Sequence, residues 1–303
     1  MKLAAIDIGS NAARLLIAEV VENGKAPPEF NKLNLIRVPL RLGFDVFEAG
    51  FISKLKINKV VETIKAYKHL LSIYEVQFLK ACATSAMRDA KNAQDLIRKV
   101  KMETGIEIKV ISGDEEASFI YENHIAENLD KNHSYLYIDV GGGSTELTFF
   151  NAGKLVFKES FNIGTIRLLK GLVEDKQWYE MKDFIKLGTK DHPDIVAIGS
   201  GGNINKVFSL SKRKEGKPLT LESLRDYHKE LNSFSLEDRM KIYKLREDRA
   251  DVIIPALQIY INVMRWTNIE EIYVPKIGLV DGLVHLLYDE VKAKKLESSS
   301  LAL

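Results

Sequence analysis

Short apolar segments bounded by Gly, Asp or Ser alternate along the chain with longer segments of helical periodicity. The apolar segments, typical of buried strands, are residues 3–8, 14–21, 77–83, 107–111, 135–140 and 194–198. Residues 57–74 repeat apolar side chains every three or four positions, which indicates an amphipathic helix. Further helices are predicted at residues 86–103, 114–128, 221–232, 250–265 and 279–294, and residues 27–50 are predicted as strand and loop. This alternation predicts an α/β protein.

A nine-residue pattern occurs twice, with an offset of 132 positions. Residues 7–15 read Asp-Ile-Gly-Ser-Asn-Ala-Ala-Arg-Leu, and residues 139–147 read Asp-Val-Gly-Gly-Gly-Ser-Thr-Glu-Leu. Each copy follows one apolar segment and leads into another, which predicts a hairpin with a Gly-rich turn rather than a strand-to-helix junction. We therefore expect two similar domains, residues 1–123 and 124–303, with a boundary near residues 122–131 and a final helix able to pack back on the first domain.

Composition and charge exclude several classes of function. The 44 Lys and Arg residues nearly balance the 42 Asp and Glu residues, so we expect no DNA or RNA partner. The single cysteine, Cys82, excludes a disulfide framework and a Cys-cluster zinc site within one chain, and we expect it to be a buried thiol. No secretory-signal pattern or membrane-spanning apolar window occurs, so we expect a cytoplasmic protein without a membrane role.

The two Gly-rich turns are candidates for phosphate binding. Glycine lacks the Cβ that would block an anion from converging backbone N–H groups. Asp7 and Asp139 end the preceding strands, where a carboxylate is placed to hold Mg²⁺. The alternative is that Asp-x-Gly only closes two hairpins. Phosphate binding is preferred because the pattern recurs in register with three consecutive glycines. A third Gly-rich turn, residues 199–203, opens a helix whose N-terminus would suit an anion, which alone is a weak signal.

Arg88 stands in the first turn of the helix predicted from residue 86. A cation in that position opposes the helix dipole, which suggests that Arg88 has an anionic partner. Thr84 or Ser85 can cap the same helix, and capping alone is the simpler explanation of the segment.

Glu116 is a candidate general base. Its neighbour Glu115 completes a capping box with Ser112 and so has a structural explanation. Glu116 instead shares the apolar side of the predicted helix, where a buried carboxylate would suit proton abstraction. The alternative is a solvated surface residue.

The remaining charged residues give weaker signals. The six histidines show no metal-ligand spacing. The basic run at residues 211–217 is interpreted as a solvated loop, with a polyanion contact as the alternative.

Taken together, these segments resemble the exopolyphosphatase / guanosine pentaphosphate phosphohydrolase (Ppx/GppA) family of the actin–Hsp70–sugar kinase (ASKHA) superfold. Eight segments match in order along nearly the whole chain: residues 6–11, 40–43, 83–92, 111–117, 138–147, 164–168, 199–202 and 249–255. The resemblance implies two ASKHA domains of ribonuclease H-like fold with an interdomain cleft. It also implies hydrolysis of a terminal phosphoanhydride in that cleft, dependent on Mg²⁺ or Mn²⁺.

The resemblance also implies roles for individual residues. Glu116 takes the position of the general base that activates water, and Asp139 and Glu146 take those of acidic residues linked to the metal, which Asp7 would join. Phosphates would be held by a larger set that comprises Asn11, Arg14, Arg88, Gly141, Gly142, Gly143, Ser144, Thr145, Gly201, Gly202 and Arg249. Phosphoryl transfer needs positioning and charge neutralisation, which such a set supplies.

The sequence departs from the family pattern at two positions. Ala12 replaces a serine and removes one hydroxyl contact, and Val280 replaces an arginine, which puts an ion pair or a substrate contact in doubt. The chain also lacks the C-terminal extension of longer members, which suggests a preference for shorter polyphosphates or pppGpp.

We therefore expect an exopolyphosphatase that releases orthophosphate from polyphosphate, with pppGpp as the alternative substrate and a homodimer as a further expectation. A catalytically weak polyphosphate- or nucleotide-binding regulator is a rival from another class, favoured by Ala12 and Val280. A sugar or acetate kinase on the same superfold is a third option, but it needs an adenosine pocket and an acceptor site that no motif signals.

Overall fold

A computed structural model describes residues 1–22, 24, 26–121, 133–192, 194–275 and 278–300. The strands are β1 (Lys2–Ile8), β2 (Ala12–Val21), β3 (Glu29–Pro39), β4 (Phe78–Ala83), β5 (Lys109–Val110), β6 (Ser134–Val140), β7 (Thr145–Asn151), β8 (Lys154–Phe161), β9 (Ile195–Ser200), β10 (Leu219–Thr220) and β11 (Glu271–Tyr273). The helices are α1 (Gly43–Ala49), α2 (Lys54–Ile73), α3 (Ser85–Asp89), α4 (Ala93–Thr104), α5 (Gly113–Tyr121), α6 (Thr165–Leu169), α7 (Asp175–Thr189), α8 (Gly202–Ser211), α9 (Leu221–Asn232), α10 (Leu236–Ile242), α11 (Glu247–Ala250), α12 (Ile253–Trp266) and α13 (Leu279–Ser300).

The chain divides into two compact units, Met1–Asn123 with Leu279–Leu303, and His124–Gly278. The sequence predicted residues 279–303 as part of the second domain, with a final helix able to pack back on the first. They belong to unit 1 because α13 packs its apolar side chains, among them Leu283 and Val284, against β1 and β2. None of the helices in the described ranges has the length and apolar character needed to cross a membrane.

Unit 1 is built on a five-stranded sheet in the order β3-β2-β1-β4-β5. Side chains alternate between the two faces of β1. Ile6 packs with the cluster that includes α2 and α4, whereas Leu3 packs with α13. Cys82 lies on the α13 side and is fully buried, and burial raises the pKa of its thiol to about 12. The expectation of a buried cysteine is therefore confirmed.

Unit 2 is built on a six-stranded sheet in the order β10-β11-β9-β6-β7-β8. The main core covers one face, where Leu136 and Ile138 of β6 pack with α7, α8, α9 and α12. A smaller apolar cluster on the other face contains Tyr137 and Ile198. Asp139 follows Tyr137 by two positions and therefore points to this second face. β6 pairs with β7 on one side and with β9 on the other, and both pairings extend to Asp139.

The predicted helix at residues 86–103 is two helices, α3 and α4. The Asn92 side-chain amide accepts a hydrogen bond from Ile52 N (2.9 Å) and donates one to Ile52 O (2.8 Å), while Lys91 N donates to Gly50 O (2.9 Å). These contacts draw residues 90–92 out of the helix.

Other predicted elements agree or differ in length. The segments at residues 3–8, 14–21, 77–83, 135–140 and 194–198 are strands, but that at residues 107–111 retains only β5. Residues 27–50 contain α1, a helix that the sequence did not predict. The helix predicted at residues 114–128 is described as α5, and its remainder and the predicted boundary at residues 122–131 lie outside the described residues.

Candidate functional site

The two sequence repeats form two hairpins that share the same hydrogen bond across the turn. Gly9 N donates to Ala12 O at 3.0 Å, and Gly141 N donates to Ser144 O at 2.9 Å. The strands on either side pair antiparallel, β1 with β2 and β6 with β7. The predicted hairpins are therefore confirmed, one in each unit.

Three consecutive carbonyl groups of the unit 2 turn are fixed on one side. Gly141 O accepts from Thr165 N (3.0 Å), Gly142 O from Ile166 N (2.8 Å) and Gly143 O from Arg167 Nε (2.8 Å). In a trans peptide the N–H group points opposite to the carbonyl of the same peptide plane. The N–H groups of residues 142–144 therefore point away from α6, to a common side. Such a row of amides forms a concave site for an anion.

Gly164 allows α6 to approach this turn. A Cβ at Gly164 would lie 2.4 Å from Gly143 C, 2.5 Å from Ser144 N and 2.6 Å from Gly142 C. No side chain larger than hydrogen fits at these distances from backbone atoms. Thr145, at the other end of the turn, is fully buried and its hydroxyl donates to Ile163 O at 2.6 Å. Its hydroxyl proton is therefore already used within the chain.

Two carboxylates face each other beside the turn. Asp139 and Glu146 are direct partners in the β6–β7 register. Ser200 Oγ donates to Asp139 Oδ1 at 2.8 Å, and Ser160 Oγ donates to Glu146 Oε1 at 2.8 Å. Glu146 is only 2% exposed. The Ser200 and Ser160 hydroxyls therefore orient the two carboxylates, which lie next to the Gly-rich turn.

The third Gly-rich turn adjoins the same pair. Gly201 has φ +111°, a conformation that favours glycine, and a Cβ there would lie 3.1 Å from Val140 O. Arg249 Nη1 donates to Asn203 Oδ1 at 3.1 Å, and a Cβ at Gly202 would lie 2.5 Å from the same Nη1. Glycine at position 202 therefore leaves room for the guanidinium next to the start of α8.

The unit 1 turn has a related but shorter arrangement. Ser10 O accepts from Gly43 N (2.8 Å), and Asn11 O accepts from Leu40 N (3.2 Å) and Arg41 N (2.9 Å). The loop at residues 40–43 thus takes the place that α6 has in unit 2. Two carbonyls are fixed here, so two amides, those of residues 11 and 12, point away from the loop.

Asp7 is paired within the chain. It is 2% exposed, it lies opposite Arg14 in the β1–β2 register, and Arg14 Nη1 contacts its Oδ2 at 2.9 Å. The carboxylate is therefore neutralised by a residue at the position that Glu146 occupies in the other repeat. This pairing makes Asp7 a poorer candidate for a metal ligand than Asp139 or Glu146.

Arg88 and Glu116 lie together in unit 1. Arg88 Nη1 donates to Glu116 Oε2 (3.2 Å) and to Ile111 O (2.7 Å). Glu116 is 8% exposed, so the alternative of a solvated residue is excluded. Arg88 has the anionic partner that the sequence suggested, but the helix-dipole argument was wrong, because α3 has five residues and Arg88 lies in its last turn.

The capping box next to Glu116 is confirmed. Glu115 N donates to Ser112 Oγ at 3.1 Å, and Ser112 N donates to Glu115 Oε2 at 2.9 Å. The Lys109 ammonium contacts Glu115 at 2.6 Å and lowers the pKa of its carboxyl. The capping box therefore gives Glu115 a structural role, which Glu116 does not share.

The two departures from the family pattern both lie at buried positions. Ala12 is 4% exposed at the start of β2. Val280 is 3% exposed within the core between α13 and the unit 1 sheet, where an arginine would bury a charge. The next residue, Asp281, forms an ion pair with Lys32 at 2.6 Å.

The predicted site residues fall into two groups, one in each unit. Unit 1 holds Asp7, Asn11, Arg14, Arg88 and Glu116, and unit 2 holds Asp139, Gly141, Gly142, Gly143, Ser144, Thr145, Glu146, Gly201, Gly202 and Arg249. That both groups serve one reaction stays a prediction. The described ranges contain no cluster of three or more His, Cys, Asp or Glu side chains suited to a metal.

Four residues that support the unit 2 site were not among the predicted site residues. They are Ser160, Gly164, Arg167 and Ser200. Gly164, Arg167 and Ser200 lie within segments that carried the family resemblance, so the resemblance was the signal that could have pointed to them. Ser160 lies on β8, an element that the sequence did not predict.

Comparisons with known proteins identify the family. A model of the Ppx/GppA phosphatase family matches residues 16–292. The chain belongs to the Ppx/GppA phosphatase family. The expectation of a phosphatase is confirmed at the level of this family, and so is the expected fold, because a crystal structure of the Aquifex aeolicus family member covers 97% of this chain and 98% of its own, with a TM-score of 0.75 and 26% identity.

Three other similar proteins are described by other names, and one of them is much longer than this chain. Exopolyphosphatase 1 of Mycobacterium tuberculosis is 24% identical over 308 residues, which cover 94% of this chain and 87% of the relative. A bifunctional 3-dehydroquinate synthase/phosphatase of Fusobacterium nucleatum is 29% identical over 256 residues, or 79% of this chain. The chain spans 38% of the length of that relative. A crystal structure of an exopolyphosphatase from Cytophaga hutchinsonii, 23% identical, covers 96% of this chain and 98% of its own with a TM-score of 0.82, which supports the fold.

Proposed function

We propose that this Ppx/GppA member is an exopolyphosphatase that hydrolyses the terminal phosphoanhydride of inorganic polyphosphate and releases orthophosphate. The observation that carries the proposal is the fixed row of amides at residues 142–144 beside the Asp139–Glu146 pair. The amides suit phosphate oxygens, and two carboxylates next to a phosphate suit a divalent cation. The Mycobacterium tuberculosis relative named exopolyphosphatase 1 supports polyphosphate as the substrate.

The donor set at this pair fits Mg²⁺, with Mn²⁺ as the alternative. Mg²⁺ is usually held by one or two carboxylates together with substrate phosphates and water, so a third protein ligand is not required. Asp139 and Glu146 would hold it, whereas Asp7 is already paired with Arg14. When bound, the cation would neutralise charge on the phosphate oxygens during transfer.

Glu116 is the general base in this proposal. An oxygen lone pair of water forms the new bond to the terminal phosphorus, and Glu116 takes the proton from that water. The bond from this phosphorus to the bridging oxygen breaks, and that oxygen becomes the end of the shortened chain. Arg88 holds the Glu116 carboxylate through Oε2 and fixes its orientation. Arg249 and the amides of residues 142–144 hold phosphate oxygens. A cytoplasmic location and a homodimer stay predictions.

The test measures orthophosphate release from long-chain polyphosphate, tripolyphosphate and pppGpp, each with Mg²⁺ and with chelator. We expect Mg²⁺-dependent release from polyphosphate that falls about a hundredfold or more in Glu116→Gln, the usual scale of general-base catalysis. Glu115→Gln is the matched control, because glutamine preserves the capping box, and it should stay within a few-fold of wild type.

Three other outcomes would contradict parts of the proposal. Unchanged turnover in Glu116→Gln would remove this residue as the base. Release from pppGpp alone would assign the alternative substrate. Binding of polyphosphate without any turnover would identify a regulator instead of an enzyme.

A further inference from the structure

A basic groove lies at the edge of the unit 2 sheet. Its volume is about 460 Å³, and Arg213, Lys214 and Lys217 line it together with Glu271 and Tyr273 of β11. Three of the four cations of the run at residues 211–217 therefore line the groove, and the proposed catalytic groups include none of them. The groove therefore needs an explanation of its own.

The loop that carries the cations has a defined shape. Arg213 Nη1 donates to Pro218 O at 2.7 Å, and Lys217 N donates to Lys214 O at 3.1 Å. Gly216, with φ +79°, completes the turn between the two lysines. These hydrogen bonds fix the Arg213 side chain and the loop backbone that carries Lys214 and Lys217, which lowers the backbone entropy lost when the loop binds a ligand.

The net charge of the groove favours an anion. Across the described parts of the chain, neither Lys214 nor Lys217 forms an ion pair with a carboxylate. Glu271 is the acidic residue of the lining, so three cations face one anion. Tyr273 is 38% exposed and adds a phenolic donor. Lysine ammonium groups and an arginine are the usual ligands of phosphate oxygens.

Tyr273, which lines the groove, and Asp139 point to the same face of the unit 2 sheet. Tyr273 lies level with Ile198 of β9, and Ile198 lies level with Tyr137 of β6. From strand and residue spacings, the Tyr273 Cα lies roughly 12 Å from that of Asp139, two strands across and two residues back. A tripolyphosphate is shorter than this separation, whereas a long polyphosphate spans it.

We propose that the basic groove binds a distal segment of a long polyphosphate whose terminal phosphate lies at the Gly-rich turn. This inference rests on the proposed function, and it replaces the preference for shorter chains expected from the family resemblance with tighter binding of long chains. Because these side chains are exposed, each contact contributes little alone, and the groove acts on substrate affinity rather than on the chemical step.

The experiment compares the KM and kcat of the full chain for long-chain polyphosphate and for tripolyphosphate. In Lys214→Ala/Lys217→Ala, we expect the KM for the long chain to rise roughly three- to tenfold, the range of two exposed ion pairs. The kcat and the KM for tripolyphosphate should not change. The control is Lys186→Ala/Lys190→Ala, which removes two exposed cations from the end of α7 and should leave every constant unchanged.

A binding measurement separates this inference from the proposed function. Long-chain polyphosphate is titrated into Glu116→Gln with and without the Lys214→Ala/Lys217→Ala changes. Weaker binding in the combined variant supports the groove even if the wild type shows no hydrolysis. Unchanged binding and unchanged long-chain KM, or an equal rise of KM for tripolyphosphate, would overturn the groove while leaving the hydrolase proposal intact.

Discussion

Asp139 and Glu146 lie directly opposite each other across β6 and β7. The corresponding positions of the other repeat hold Asp7 and Arg14, which form an ion pair at 2.9 Å. The two equivalent hairpins therefore differ in charge: the unit 1 hairpin pairs opposite charges, and the unit 2 hairpin pairs like charges. Like charges directly opposite destabilise a sheet, so a cation held by the unit 2 pair, as proposed above, would stabilise it.

The first prediction concerns this repulsion and has a readout other than activity. Without divalent cations, Glu146→Gln should be more stable than wild type by about 0.2–1 kcal/mol, because one of two facing charges is removed. Ser160 Oγ can still donate to the glutamine oxygen. Addition of MgCl₂ should raise the Tm of the wild type and raise that of the variant less. Thermal unfolding with and without MgCl₂ measures both effects.

The control for this prediction is Glu159→Gln, a change of equal charge one residue from Ser160 on β8. Its Tm should respond to MgCl₂ as the wild type does. An equal response to MgCl₂ in Glu146→Gln would show that Glu146 does not hold the cation.

The second prediction concerns the Arg88–Glu116 contact. A buried carboxylate that loses its cationic partner takes up a proton more readily. In Arg88→Ala, phosphate release should therefore fall overall, and its acidic limb should move to higher pH. The pH–rate profile of kcat/KM measures this shift. Arg98→Ala, which removes an exposed arginine paired with Asp95, is the control. A lower rate with an unmoved profile would mean that Arg88 does not act through Glu116.

The third prediction concerns the approach of α6 to the Gly-rich turn. Gly164→Ala would place a Cβ within 2.4–2.6 Å of backbone atoms, which cannot move cheaply. We expect a loss of about 2 kcal/mol or more in the free energy of unfolding, as for overpacked cores, together with weaker polyphosphate binding. Urea unfolding measures the stability. Gly9→Ala is the comparison in the other turn, where the nearest atom to the new Cβ is Ala12 O at 3.4 Å. An equal stability loss in both variants would contradict the argument.

The hairpins and the buried carboxylates could be predicted because their signals are local. Asp139 and the glycines that follow it specify a strand end and a turn within a few residues. Glu116 stands out within one helix, because its neighbour Glu115 is already explained by the capping box.

Contacts between distant segments were not predictable in this way. The break between α3 and α4 depends on the hydrogen bonds of Asn92 with Ile52, 40 positions away. The fixed Gly143 carbonyl depends on Arg167, 24 positions away. Val280 could not be assigned to the core until α13 was placed against the unit 1 sheet.

The last prediction concerns acid stability of the loop that supports the unit 1 turn. Lys56 Nζ donates to Arg41 O (2.6 Å) and contacts Asp45 (2.5 Å), while Arg41 N donates to Asn11 O. Burial raises the pKa of Asp45, but hydrogen bonds from Lys56 and Ser53 outweigh it, so the pKa lies below the ordinary value of 3.8. A lowered pKa stabilises the fold above the unfolded-state pKa, and this contribution is lost as the pH falls through the folded-state value.

We therefore expect Asp45→Asn to be about 0.5–1 kcal/mol less stable than wild type at pH 5 to 7, with the difference shrinking below about pH 4. Urea unfolding at pH 7, 5 and 3 measures this difference. Asp95→Asn, which removes an exposed partner of Arg98, should show almost no difference at any pH. A difference for Asp45→Asn that persists undiminished at pH 3 would show that the ion pair does not carry the effect, because a protonated Asp45 has no charge to lose.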